Sequence, residues 1–264
     1  METERGEKLG EFIEVVMGIL EQIRPIVTDG FGGKIAVEQK GDGSPVTVVD
    51  KRCEGLIREV LYKHFPEHGF LGEEYGAERE NAEYVWVIDP IDGTKSFISG
   101  ALDFGTLIGL LHRGMPILGF IAQPVLNQIM WGDNYRCWYN GQQVRVRSDV
   151  SLSDSLCLTT NIKTPAQFQN GLGFEALVQQ VGSLMTWGNA FGYMLVARGL
   201  ADVMIDPIMN AWDLLPLIPV IRGAGGIITD YQGRDPLRAS SIVAGTPSLH
   251  SRVIEILNCK ETCV

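Results

Sequence analysis

Trp86-Val-Ile-Asp-Pro-Ile-Asp-Gly-Thr94 carries a short apolar run, Tyr84 to Ile88, into two aspartates separated by a proline and an isoleucine. The run has the length and side chains of a buried strand. Asp89 ends it, so its carboxylate projects past the sheet edge. Pro90 and Gly93 turn the chain, and Asp92 swings back toward Asp89. Two hard oxygen donors then surround one point, which suits Mg²⁺, an ion that takes a few carboxylates together with waters and phosphate oxygens. The carbonyl of Ile91 could add a ligand while its side chain stays in the core. Past the turn, the amides of Gly93 and Thr94 are free to face a phosphate oxygen. Taken alone, the same residues make an ordinary type I or II turn just as well.

Other acidic segments shift that balance. Glu73 and Glu74 follow an apolar pair and Gly72. Adjacent glutamates usually sit in a solvated loop, the expectation for Glu74, whereas Glu73 is the candidate to join Asp89. Asp50 has two readings, a charge near a helix N-terminus or a ligand for a further metal. Far along the chain, Asn210-Ala-Trp-Asp213 opens the apolar run Leu214 to Val220. A carboxylate heading such a buried run is costly unless paired or metal-bound.

The remaining chain frames these acids. With 264 residues, 45% of them hydrophobic and a net charge of −10, it is an acidic globular protein of one large unit or two joined halves. Clustered Lys and Arg, the footprint of a nucleic-acid partner, are missing. The most apolar stretch, Phe104 to Ala122, is broken by His112, Arg113, Gly114 and Pro116, so no membrane span is expected. Five cysteines include no CxxC pair; Cys259 and Cys263 lie one helical turn apart. The charged, acidic N-terminus is unlike a signal peptide, and a cytoplasmic protein is expected.

Periodicity predicts an amphipathic helix over about 5–24 and a loop or hairpin over 28–45, without a nucleotide-binding glycine pattern. A capping box at Thr47–Asp50 should open a helix running to Pro66. Strands at 104–111, 117–123 and 128–132 precede an Asn140-Gly141 hairpin turn. Strands and helices then alternate, with helices near 165–181 and 212–222 and a last one from Pro247. Two halves, 1–148 and 149–264, packed as one unit fit this order.

On these residues the chain resembles the inositol monophosphatase superfamily. Trp86–Thr94 matches its D-P-[IL]-D-G-T turn, Gly72-Glu73-Glu74 its G-E-E, and Trp212-Asp213 through Gly226 its W-D helix ending in G-A-G-G. The resemblance implies an α+β fold, a layered α-β-α-β-α sandwich of the inositol monophosphatase/fructose-1,6-bisphosphatase type, and usually a homodimer. It implies two or three Mg²⁺ ions held by Glu73, Asp89, Asp92, Asp213 and the Ile91 carbonyl, with Asp50 near a third. Glu73 and Thr94 would activate water, and Gly93 and Thr94 would hold phosphate. Thr94–Gly100, Phe104–Leu110, Gln123–Val125 and Met204–Asn210 look most like the histidinol-phosphatase branch, where Asp206 would contact substrate. That branch usually shows Gly-Asp-Cys-Tyr where this chain has Gly188-Asn-Ala-Phe191, so Asn189 lacks a charge that could pair with an amine. Inositol phosphate, another sugar phosphate or a nucleotide bisphosphate is the alternative substrate. A non-catalytic binding protein of the same fold is disfavoured, because none of the acids is missing.

Overall fold

Phe12, Val16, Ile19, Ile23 and Val27 are fully buried along one stripe of α1 (Glu2–Gly30) in the computed structural model, which describes residues 2–33, 35–41 and 43–259, with backbone alone for 2–7. Cys263 lies outside the described residues. The helix does not stop near 24 but runs through Pro25. Pro25 and Glu21, whose carbonyl loses its partner, are both on the exposed side, where water can replace the missing bond.

Of the expected 28–45 loop, residues 28–30 still belong to α1, and the rest leads into a hairpin of β1 (Val37–Gln39) and β2 (Pro45–Thr47). Thr47 then caps α2 (Val48–His64), with Asp50 completing the capping box. A mixed sheet follows, of β3 (Gly69–Gly72), β4 (Gly76–Glu78), β5 (Tyr84–Asp92), β6 (Gly105–His112), β7 (Met115–Gln123), β8 (Gln128–Gly132), β9 (Cys137–Tyr139) and β10 (Gln142–Val144). Its order is β10-β9-β8-β7-β6-β5-β3-β4, antiparallel throughout except that β3 runs parallel to β5. The short α3 (Thr94–Ser99) sits between β5 and β6.

The second sheet comprises β11 (Leu156–Thr159), β12 (Ser183–Met185), β13 (Val203–Asp206), β14 (Ile227–Thr229) and β15 (Ile242–Gly245), ordered β12-β11-β13-β15-β14. Around it lie α4 (Thr164–Phe168), α5 (Gly171–Val178), α6 (Asn189–Ala197), α7 (Ala211–Leu214), α8 (Leu217–Gly223) and α9 (Pro247–Leu257). Two expected helices are each split. The 165–181 helix breaks where the Asn170 side chain accepts from Gly173 N–H and restarts the turn as an N-cap. The 212–222 helix breaks around Pro216, which has no N–H to continue the ladder.

Alternation along β5 sorts the layers. Trp86 and Ile88 face α1 and α2, packing with Phe12, Ile23 and Ile57. Val85 and Val87 face the opposite way, onto Tyr193, Met194 and Val220 of α6 and α8, and the same cluster reaches Leu158 and Met204 of the second sheet. The far face of that sheet packs Val203 and Val243 against Phe174, Val253 and Leu257 of α5 and α9. The result is the expected α-β-α-β-α sandwich. Gly119 lets α8 lie flat on the first sheet, since a Cβ there would sit 1.8 Å from the Pro216 carbonyl oxygen. Among the described residues no helix is long and apolar enough to cross a membrane.

Candidate active site

Asp89 and Asp92 are three apart, a spacing that in a regular strand puts side chains on opposite faces. Here β5 pairs Asp89 with Leu107 and Asp92 with Gly105, three steps on one strand against two on its neighbour. That extra residue is a β-bulge, and it brings both carboxylates to one side. The turn expected after Asp89 is therefore a bulge within a longer strand. The Ile91 N–H donates to Asp89 Oδ1 at 3.0 Å, and the Pro90 carbonyl accepts from Thr106 Oγ1 at 2.8 Å.

Asp213 arrives from the first turn of α7, where Asn210 N–H donates to its Oδ2 at 2.8 Å. Asp89, Asp92 and Asp213 each offer an oxygen within 4.8 Å of the others. Burial raises all three pKa values. For Asp89, carboxylates of Glu73, Asp92 and Asp213 add to it; for Asp92, Asp213 and Asp206 do so, against the amide of Ala190. Asp213 is lifted to about 6 by burial, against the pull of the Asn210 amide. Converging carboxylates, Asp89 buried and the other two half-buried, are tolerable only if protonated or neutralised by a cation. An all-oxygen set of this size fits Mg²⁺ better than a soft metal.

Glu73 follows β3, and its N–H donates to the Ile88 carbonyl at 3.1 Å, which lays it beside Asp89. Glu74 is not the solvated residue expected: its side chain is only 4% exposed, and Lys40 Nζ from the hairpin lies 2.7 Å from both Glu73 Oε1 and Glu74 Oε1. Burial opposes the Lys40 charge, yet the two glutamates hold its pKa above the ordinary value. Asp50 takes up the first of its two readings, the charge at a helix N-terminus. Its Oδ2 accepts from Thr47 N–H at 2.9 Å as a cap, while its Oδ1 lies 3.4 Å from Thr94 Oγ1. It stands outside the three-aspartate group. Thr94 opens α3, and its hydroxyl donates to the Ile91 carbonyl at 3.2 Å.

Gly93 has φ +94°, and a Cβ would meet Asn189 Nδ2 at 2.7 Å. Asn189 itself donates from Nδ2 to the Asp103 carbonyl at 2.6 Å and from its N–H to Thr160 Oγ1 at 3.0 Å. Asp206, 5% exposed, accepts from Tyr193 Oη at 2.8 Å and from Thr160 N–H at 3.3 Å. A cavity of about 170 Å³ joins Asp92 and Asp213 to Asp206, Asn189 and the apolar wall Ile208-Met209, with no Lys, Arg or His in its lining among the described residues. A larger cavity of about 650 Å³ lies at the other end of β5, beside Tyr84 and His112, away from all these acids.

Sequence reasoning passed over Thr160, Tyr193 and Lys40. Thr160 follows β11 just as Asp206 ends the parallel β13, so aligned strand ends were the available signal. Nothing local marks Lys40.

The inositol monophosphatase family model matches residues 8–262. The bifunctional phosphatase IMPL2, chloroplastic, of Arabidopsis thaliana is 36% identical over 95% of this chain and 76% of its own. A histidinol-phosphatase of Chlorobaculum parvum is 33% identical over 85% of this chain and 88% of its own. A solved inositol monophosphatase from Zymomonas mobilis superposes with a TM-score of 0.85 at 28% identity, covering 95% of this chain and 98% of that one. Fold, sequence and the convergence of acids agree: this chain belongs to the inositol monophosphatase family and is a metal-dependent phosphoric monoester hydrolase.

Proposed function

We propose that this phosphatase hydrolyses L-histidinol phosphate to L-histidinol and inorganic phosphate, with two or three Mg²⁺ ions held by Asp89, Asp92, Asp213, Glu73, the Ile91 carbonyl and, for a third, Asp50. The observation that carries the substrate is the 170 Å³ cavity, which has buried Asp206 on its lining and, among the described residues, no cationic side chain. Asp206 accepts from Tyr193 and Thr160 and, with about four lone-pair positions on a carboxylate, keeps capacity for an ammonium group, while Ile208 and Met209 offer a surface for an imidazole. A second phosphate, as in a bisphosphate, would find no Lys, Arg or His there among the described residues. The histidinol-phosphatase names among the relatives support the same substrate.

Bound Mg²⁺ supplies charge neutralisation of the phosphoryl oxygens and lowers the pKa of a nearby water. Glu73 and Thr94, with Asp50 behind the threonine hydroxyl, orient the attacking water and take up its proton. The Gly93 and Thr94 amides hold the phosphate in line. In this reading residues 1–148 bring most of the metal ligands, and residues 149–264 bring Asp213, Asn189 and Asp206. A homodimer in the cytoplasm completes it: the family resemblance supports the dimer, and sedimentation gives the mass.

Inositol 1-phosphate is the second reading. Asn189, Thr160 and Asn161 line the cavity and are neutral partners suited to hydroxyls. Phosphate release with histidinol phosphate, inositol 1-phosphate and a nucleotide bisphosphate, each at matched concentration with Mg²⁺, separates the two. The proposal expects the highest kcat/KM for histidinol phosphate. A higher value for the inositol ester would replace it.

A further inference from the structure

Glu54 lies on α2 with none of its surface exposed. An ionised carboxylate there needs several partners to be tolerated, and three are present. Glu54 Oε2 accepts from Glu74 N–H at 2.7 Å, while Oε1 accepts from Tyr75 N–H at 3.3 Å and from Arg58 Nε at 2.8 Å. Arg58 in turn donates to the Gly76 carbonyl, closing a clasp around the turn from β3 to β4. Gly72 belongs to it as well. A Cβ at that position would lie 1.9 Å from Glu54 Oε1, so the glycine before Glu73 is required by the carboxylate packed against it.

The peptide carrying Glu73 is thus held from two directions. On one side its own N–H reaches the Ile88 carbonyl; on the other, the very next amide reaches Glu54. We propose that Glu54 is a positioning residue that presets the Glu73 carboxylate beside Asp89 before any cation arrives. The inference rests on the reading of Glu73 as a metal ligand. A buried ion pair is a poor way to gain stability compared with apolar packing, and Glu54 spends its bonds on the backbone adjoining one site residue. Groups of this kind, which orient a ligand without touching the metal, change metal affinity about 10–100-fold when altered.

Titration of the full-length protein with Mn²⁺, without substrate, tests the proposal by calorimetry on wild type, Glu73→Gln, Glu54→Gln and Arg58→Lys. Glu73→Gln should bind Mn²⁺ more weakly; wild-type affinity in that variant would sink the site reading itself. Glu54→Gln should weaken Mn²⁺ by about 10–100-fold, with kcat at saturating metal reduced far less. Arg58→Lys, which leaves the bond to the Glu74 amide in place, should stay within a few-fold of wild type. Wild-type affinity in Glu54→Gln together with a weakened Glu73→Gln would overturn the positioning role and leave the site standing. Should Glu54→Gln fail to fold, hydrogen exchange on the wild-type chain decides. The Glu74 and Tyr75 amides should be protected in chelator as they are in Mg²⁺, and protection gained only on adding Mg²⁺ would contradict a preset loop.

Discussion

The two ends of β5 use burial in opposite ways. At its start Trp86 is fully buried and donates from Nε1 to His68 Nδ1 at 3.0 Å, within a stack in which the His68 ring lies 4.9 Å from both Phe65 and Tyr84. Burial, with Lys8 and Arg79 nearby, pushes His68 down to about 4, so it stays neutral. Its polar contact is satisfied and its charge removed. At the far end of the same strand, burial gathers Asp89 and Asp92 against Asp213 and leaves their charges to be neutralised from outside. One end stabilises the fold; the other stores electrostatic demand that protons or a cation must meet.

The largest effect should come from Asp89→Asn. Phosphate release should fall by about 10²–10³-fold, the scale of removing one preorganised electrostatic group. The metal-free protein should melt no lower than wild type, because a buried repulsion has gone. An active variant, or one that simply unfolds, would erase the contrast between the ends. Trp86→Ala should do the reverse. It should lose about 3–5 kcal/mol in urea unfolding, while activity per folded molecule stays within a few-fold of wild type.

Smaller, and opposite in sign, are the pH dependences. Asp213 is lifted from 3.8 to about 6, so between those values the folded chain holds protons that the unfolded chain has released. Metal-free stability from this group falls as pH rises through that window. His68 is lowered from 6.5 to about 4. There the unfolded chain binds the extra proton, and stability is lost as pH falls from 6.5 toward 4. In thermal melts without metal, Asp213→Asn should flatten the first trend and His68→Gln the second. Because the metal displaces protons, the Tm gain from saturating Mg²⁺ should be larger at about pH 7.5 than at about pH 5. An equal gain at both would contradict the buried-acid account.

Much of this was legible in the sequence, for local reasons. The strand into Asp89 and the Thr47–Asp50 cap depend on near neighbours, and both stand where periodicity and capping rules put them. The bulge at Pro90-Ile91 did not show, because it is a mismatch of count between β5 and β6 and no single strand carries it. The breaks at Asn170 and Pro216 were signalled by those residues but outweighed by apolar periodicity on either side. Glu74 looked solvated because its partners, Lys40 and Glu54, are 34 and 20 residues away. From the residues themselves Asp213 is marked only by the cost of a charge heading an apolar helix, and its meeting with Asp89 comes from the family resemblance, because it depends on how α7 packs on β5.

That meeting is best tested by Mn²⁺ binding to the chain without substrate, comparing wild type with Asp213→Asn. If carboxylates from β5 and α7 share one cation site, the variant should fold normally and bind Mn²⁺ far more weakly than wild type. Undiminished binding by a folded Asp213→Asn chain would contradict it.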